Sequence, residues 1–161
     1  MLIIAHALKE LRFGQLMEVY SQSNSEACNG NLLQAEQDFY AYLRESFFCD
    51  PKAFYAVWER DGTYKAALRM EPYKDGYLLE ALETAPSARR KGYATMLVKE
   101  VLNWQAEQGS TAVYSHVKKV NEASLAVHRA CGFVEILDHA VYIDGSVLRD
   151  SVTLCYQVNK K

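Results

Sequence analysis

Arg89-Arg90-Lys91-Gly92-Tyr93-Ala94 places three cations where a strand-like run gives way to an amphipathic helix. Upstream, Leu78-Leu79-Glu80-Ala81-Leu82-Glu83-Thr84-Ala85 reads as a strand stopped by Pro86; downstream, Ala94, Leu97, Val98, Val101 and Trp104 recur close to a 3.6-residue period. A helix start already carries partial positive charge from N–H groups that lack intrahelical partners, so each cation there costs roughly 0.3–1 kcal/mol. The pattern calls for an anion from outside the chain. A small-residue turn that opens a helix presents backbone N–H groups to a phosphate, and Gly92 and Ala94 leave room for the main chain to come close. A basic triplet alone is usually a solvated surface run; strand and helix on either side turn this one into a diphosphate cradle.

Outward from the turn, the chain orders itself. Met1 to Ala7 reads as a first strand, Leu8 to Tyr20 as a helix, Ser21 to Asn31 as a polar breaker, and Leu32 to Phe48 as a second helix ending near Asp50-Pro51. Ala53 to Arg60 and Thr63 to Glu71 are strand-like runs joined by Asp61-Gly62, a two-residue hairpin signal, and Lys74-Asp75-Gly76 turns the chain again into Tyr77 to Ala85. Three consecutive antiparallel strands are expected. The helix from Gly92 to about Gln108 ends at Gly109, and Thr111 to Val117 follows as a strand; the right-handed crossover makes the Tyr77 and Thr111 strands parallel. Asn121 is an N-cap for a last helix whose stripe Ala123, Ala126, Val127, Ala130 is expected to face the core, with Gly132 as its stop. Val134 to Ile143 and Ser151 to Val158 are expected to close the sheet as a final pair. There is no repeat, low-complexity tract or linker.

At 161 residues the chain suits one domain with a substantial core. It is 50% hydrophobic and 24% charged, ordinary for a globular protein. A formal net charge of −2 argues against a nucleic-acid-seeking surface and leaves the basic turn as a local feature suited to a small anion. Cys28, Cys49, Cys131 and Cys155 form no CxxC pair, no signal pattern or long apolar span is present, and so reduced thiols in the cytoplasm, away from membranes, are the expectation. No histidine or cysteine grouping has metal-ligand spacing. Cys131, near the proposed site, is read as packing rather than as a nucleophile.

Arg89-x-x-Gly92-x-Ala94 after a strand ending at Pro86 resembles the acyl-CoA signature of the GNAT superfamily of N-acetyltransferases, and Asn121-Glu122-Ala123-Ser124-Leu125-Ala126-Val127-His128-Arg129-Ala130-Cys131-Gly132-Phe133 is similar to that family's later segment. The two motifs come in the family's order and separation, and the resemblance covers nearly the whole chain. It implies one GNAT-like domain over residues 1–161. Its α/β (α+β) fold is a mixed, mostly antiparallel twisted sheet with a central parallel splayed strand pair, flanked by helices. It further implies acetyl-CoA as the acyl donor, with pantetheine lying between the splayed strands. Backbone groups of Leu82, Glu83 and Thr84 would satisfy it, Arg89, Arg90, Lys91, Gly92, Tyr93 and Ala94 would hold the diphosphate, and Asn121 and Ser124 would add polar contacts.

An amine with pKa about 10.4 is mostly protonated near neutrality, so acyl transfer needs a base. Many relatives place a Glu on the first splayed strand where this chain has Leu78; Glu80 shares that face two residues on, whereas Glu83 points to the other. Others keep a carboxylate five residues before the Asn, where His116 stands here. Four residues before the Gly of Gly-Phe the family's Tyr protonates the leaving thiolate; His128 replaces it, either as imidazolium acid or as a hydrogen-bonding group with water as the acid. Tyr114, Tyr142 and Trp58 are candidate linings of an acceptor pocket, although strand aromatics mostly pack cores; His6 and His139 are expected at the surface. The expected activity is N-acetyl transfer to a small amine, amino acid or protein amine by direct attack, with a homodimer open. The competing class is a regulatory module on the same fold that binds acyl-CoA without turnover.

Overall fold

The computed structural model describes residues 1–27 and 29–159. In chain order its elements are β1 (Leu2–Ala5), α1 (Phe13–Val19), α2 (Ser21–Ala27), α3 (Leu32–Glu45), β2 (Phe54–Arg60), β3 (Thr63–Tyr73), β4 (Gly76–Thr84), α4 (Tyr93–Glu107), β5 (Ala112–Lys118), α5 (Glu122–Ala130), β6 (Val134–Leu137), β7 (Ala140–Val141), β8 (Val147–Leu148) and β9 (Ser151–Gln157). Seven strands form one mixed sheet in the order β1-β2-β3-β4-β5-β9-β6. β4 and β5 run parallel, as the crossover through α4 requires, whereas β1 with β2, β2 with β3, β5 with β9 and β6 with β9 pair antiparallel.

The chain groups into two units, Met1–Glu71 with Ala81–Leu97, and Pro72–Glu80 with the chain from Val98 onward; β3, β4 and α4 contribute residues to both. In the first unit β2 is buried from Phe54 through Val57, and Leu16, Val19, Leu43, Leu68 and Leu97 are shielded completely. Each such side chain contributes about 1.5–3 kcal/mol of burial. The Asp61-Gly62 hairpin forms as expected, with φ of 54° and 76° at its two corner residues. In the second unit Leu78, Val98, Val101, Ala112, Val113 and Ala140 are among the completely shielded positions. Here Gly76 opens β4 so close to β5 that a Cβ on it would stand 1.9 Å from the Ala112 carbonyl oxygen. The parallel ladder then runs Tyr77↔Val113, Leu78↔Tyr114, Leu79↔Ser115 and stops, whereas β5 continues against β9 to Lys118↔Ser151.

Four expectations are corrected. Leu8 to Tyr20 is a 3-10 turn, Leu8–Glu10, followed by α1 rather than one helix. The polar breaker holds a helix, α2: Gln22 Nε2 bonds Glu26 Oε1 one turn on at 3.0 Å, and Ser23 Oγ bonds the Tyr20 carbonyl at 3.2 Å, so local polar pairs sustain a helix with no buried residue. On α5 the buried side chains are Leu125 and His128, while Ala123, Ala126 and Ala130 are exposed. The expected strand Val134 to Ile143 divides: β6 pairs with β9, with a register shift between Glu135 and Leu137, and β7 pairs with β8 in a separate two-stranded sheet. Asn121 caps α5 as expected, its Oδ1 accepting from the Ser124 N–H, and Gly132 ends it at φ 94°. His6 is exposed; His139 is half-buried and bonded to Asp138. Cys28 lies outside the described residues. Among the described residues no helix is long and apolar enough to cross a membrane.

Candidate functional site

In the first unit the site begins with a break in strand regularity. Ala81 has φ +52°, a conformation that a residue with a Cβ adopts at a cost of about 1–3 kcal/mol and keeps only when its surroundings insist. Tyr20 supplies part of that insistence: its hydroxyl donates to the Ala81 carbonyl at 2.6 Å and accepts from the Tyr55 hydroxyl at 3.0 Å. Burial raises the pKa of both phenols, so both remain donors. The kink interrupts the alternation that placed Glu80 and Glu83 on opposite faces, and the two carboxylates fall in different surroundings. Leu82, Glu83 and Thr84 follow, all half-buried. Glu83 accepts from Ser23 Oγ of α2 at 2.9 Å; burial lifts its pKa, against the pull of that bond and of Arg89.

The basic turn comes next. Ala85 N–H bonds the Lys65 carbonyl at 2.9 Å and Pro86–Ala88 forms a 3-10 turn. Arg90 and Gly92 then take φ of +61° and +79°, and α4 starts at Tyr93 with no acidic residue in its first turn. A Cβ on Gly92 would meet nothing within 4 Å. Arg89, Arg90 and Lys91 are exposed, Arg89 bonding Gln22 Oε1, and the Tyr93 side chain is buried. Open space, alternate left-handed residues and exposed cations together fit a diphosphate held by main chain.

In the second unit the ladder's last pair is tied by Ser115 Oγ, which donates to the Leu79 carbonyl at 3.3 Å. One residue on, both ring nitrogens of His116 are shielded from solvent and bond no described group. The ring stands edge-on between Tyr73 (centroids 5.7 Å apart, 87°) and Tyr142 (5.0 Å, 82°). Burial lowers its pKa, Glu80 opposing and Lys74 reinforcing, so the imidazole is neutral. Burial, Asp150 and Glu80 all raise the Tyr142 pKa. The Tyr73 hydroxyl bonds the Val141 carbonyl and the Tyr114 hydroxyl bonds Asp75 Oδ1 at 2.6 Å; Tyr114 is raised by that bond above all. Trp58 sits on β2 in the first unit.

On α5 of the same unit, His128 Nδ1 lies 2.7 Å from the Ser124 carbonyl and 3.4 Å from Ser124 Oγ. A carbonyl only accepts, so Nδ1 carries the proton and Nε2 is a bare lone pair; Nε2 is buried and unpartnered, and the residue is 1% exposed. Burial lowers its pKa, the Ser124 bond opposing. Cys131 is buried and its thiol pKa raised by that burial, which suits packing.

The structure thus brings Glu83 to Ser23 and Arg89 to Gln22, both on α2, and His116 between Tyr73 and Tyr142. Sequence reasoning missed Tyr20, Gln22, Ser23 and Tyr73. The Gln22/Glu26 spacing was a helix signal for the first three; Tyr73 offered none beyond its aromatic character.

A model of the Acetyltransferase (GNAT) family matches residues 14–133. An aminoglycoside N(6')-acetyltransferase type 1 of Klebsiella aerogenes is 35% identical over 77 residues, 44% of this chain and 51% of that relative. One from Serratia marcescens is 39% identical over 57 residues, 35% of this chain and 39% of that relative. The chain spans about half the length or less of these curated relatives. Among solved structures, aminoglycoside 6'-acetyltransferase type Ii superposes with TM-score 0.70 at 13% identity over 99% of both chains. Spermidine N-acetyltransferase from Vibrio cholerae, in complex with CoA and spermine, does so with TM-score 0.66 at 17% identity, covering 99% of this chain and 96% of that one. At such identities the likeness is one of fold.

Proposed function

The chain belongs to the GNAT acetyltransferase family, and on that premise we propose that it moves the acetyl group of acetyl-CoA to a primary amine by direct attack. The observation that carries this reading is the turn Arg89–Ala94, with left-handed Arg90 and Gly92, open space at Gly92 and three exposed cations at the start of α4. Arg89, Arg90 and Lys91 neutralise the diphosphate while Gly92, Tyr93 and Ala94 offer main-chain N–H groups. The backbone of Leu82, Glu83 and Thr84, past the kink at Ala81, bonds the pantetheine arm. Asn121 keeps its Oδ1 on the α5 cap and offers its amide N–H groups; Ser124 offers its hydroxyl.

Bound acetyl-CoA supplies the thioester whose C–S bond breaks as the C–N bond forms; the attacking amine sheds a proton and the thiolate gains one. His116, kept neutral by burial, is the proton acceptor in this reading, with the charge of Glu80 favouring the imidazolium that forms. His128 presents a lone pair rather than a proton, so water protonates the thiolate and Nε2 receives the S–H bond that results. No covalent enzyme intermediate is invoked, Cys131 being a buried thiol. The free cysteines Cys49, Cys131 and Cys155 suit the cytoplasm.

One observation favours a binding module without turnover: the neutral His128 cannot itself donate the proton. Following free-thiol release with acetyl-CoA across a panel of amines separates the two. Turnover with at least one amine is expected; tight acetyl-CoA binding with no thiol released from any amine would leave only the module.

A further inference from the structure

We propose that Gln22 of α2 is a positioning residue for the acyl donor's diphosphate: it holds the Arg89 guanidinium in place before the donor arrives, and Glu26 in turn fixes Gln22. This rests on the acetyl-CoA reading above and deepens its donor site. Every residue concerned belongs to the first unit.

Arg89 stands where the strand has ended and the turn begins, with its side chain exposed. An exposed arginine samples many rotamers, and an anion that immobilises it gives up part of its binding free energy to that ordering. Here the ordering is already done. Arg89 Nη1 donates to Gln22 Oε1. Gln22 is itself fixed, because its Nε2 donates to Glu26 Oε1 one turn on at 3.0 Å and leaves the amide oxygen to face the arginine. The helix that carries both is tied to the donor strand by Ser23 Oγ, which donates to Glu83 Oε2 at 2.9 Å.

The chemistry of position 22 matters as much as its place. A carboxylate there would form an ion pair with Arg89 and repel a diphosphate, whereas an amide oxygen orients the guanidinium and leaves its charge for the ligand. Among the described residues Arg89 makes no ion pair, and Glu83, the carboxylate whose pKa it pulls down, is bonded to Ser23 instead. Nor do Nε and Nη2 of Arg89 bond any described group, so the edge of the fork that grips a phosphate through two parallel N–H bonds is free. The turn presets the main chain of the site; α2 presets its first cation.

Calorimetric titration of CoA into the full chain tests this. Gln22→Ala, which favours the helix of α2, is expected to weaken CoA affinity about two- to tenfold, the effect of ordering one arginine on binding. In an Arg89→Ala background the same change is expected to do nothing, because Gln22 acts through Arg89. In thiol release, KM for acetyl-CoA is expected to rise in Gln22→Ala with kcat kept, a split that a loosened fold does not give. Unchanged or tighter binding in Gln22→Ala, or an equal loss in the Arg89→Ala background, overturns the proposal. Should Arg89→Ala bind too weakly to measure, Glu26→Ala decides: it is expected to weaken CoA binding in the wild-type background and not in Gln22→Ala, and a loss in both or in neither overturns it. Normal CoA binding that ignores Gln22→Ala sinks the positioning role and leaves the donor site standing. Weaker binding in Gln22→Ala with no thiol released from any amine sinks acetyltransfer and leaves the positioning role.

Discussion

The turn at Arg89–Ala94 and the surroundings of His116 are built in opposite ways. The turn works with main chain: two left-handed residues, an open glycine and a helix start, all within six consecutive positions. The surroundings of His116 work with side chains brought from β3, β5 and the segment after β7, and both His116 ring nitrogens are shielded and bond no described group. A main-chain site survives most changes of side chain but not a change of backbone freedom. A side-chain environment is retuned by single substitutions.

Gly92→Glu is the strongest way to break that contrast. It sets a carboxylate against the diphosphate and forces φ +79° on a residue with a Cβ, at about 1–2 kcal/mol of strain. Losing two charge-assisted bonds of about 1.5–3 kcal/mol each lowers CoA affinity by roughly 100-fold or more. Calorimetric titration with CoA measures it, and Gly92→Ala isolates the strain. Affinity unchanged in a folded Gly92→Glu protein would remove the turn from the site.

Tyr20→Phe sharpens the comparison by asking how much backbone geometry depends on one hydroxyl. The Ala81 carbonyl and the Tyr55 hydroxyl each lose a partner, so urea unfolding is expected to show a loss of about 1–3 kcal/mol. The KM for acetyl-CoA should rise with it. A stability loss with KM unmoved would mean that the kink does not position the donor.

The smallest effect is expected at His128. His128→Phe should lower kcat roughly five- to tenfold, the worth of about one hydrogen bond, with CoA affinity nearly unchanged. Its pH signature follows from burial. The folded-state pKa of both His128 and His116 lies below that of the unfolded chain, so the unfolded chain binds more protons near pH 6. Stability is therefore full above about pH 6.5 and declines as pH falls beneath it. Thermal melts from pH 7.5 to 5 should show this decline, shallower in His128→Phe; equal slopes would assign the decline to His116 and other groups.

What could be read in the sequence is what consecutive residues decide among themselves. Asp61-Gly62, the Asn121 cap, Gly132 and the basic turn each declare a backbone conformation locally, and the parallel pair follows from chain handedness. What could not be read depends on competition at a distance. Ser21–Ala27 has the composition of a loop, and its helix rests on pairs such as Gln22 with Glu26 that composition does not weigh. The small alanines of α5 gave way to Leu125 and His128 as the buried side chains, leaving a histidine shielded where apolar patterning pointed to alanine. Tyr73 and Tyr142 reach His116 from β3 and from the segment after β7, both far from it in sequence.

The glycines at positions 92 and 76 age differently under mutation. At Gly92 there is space, and a replacement is taxed only through its backbone angles. At Gly76 a single added carbon would run into the Ala112 carbonyl, so the two parallel strands are clamped at their root by the lack of a side chain. Drift at that position is closed to every larger residue, and a wedge there would spread the clamp all the way up to Leu79 and Ser115, shifting where the strand pair lets go.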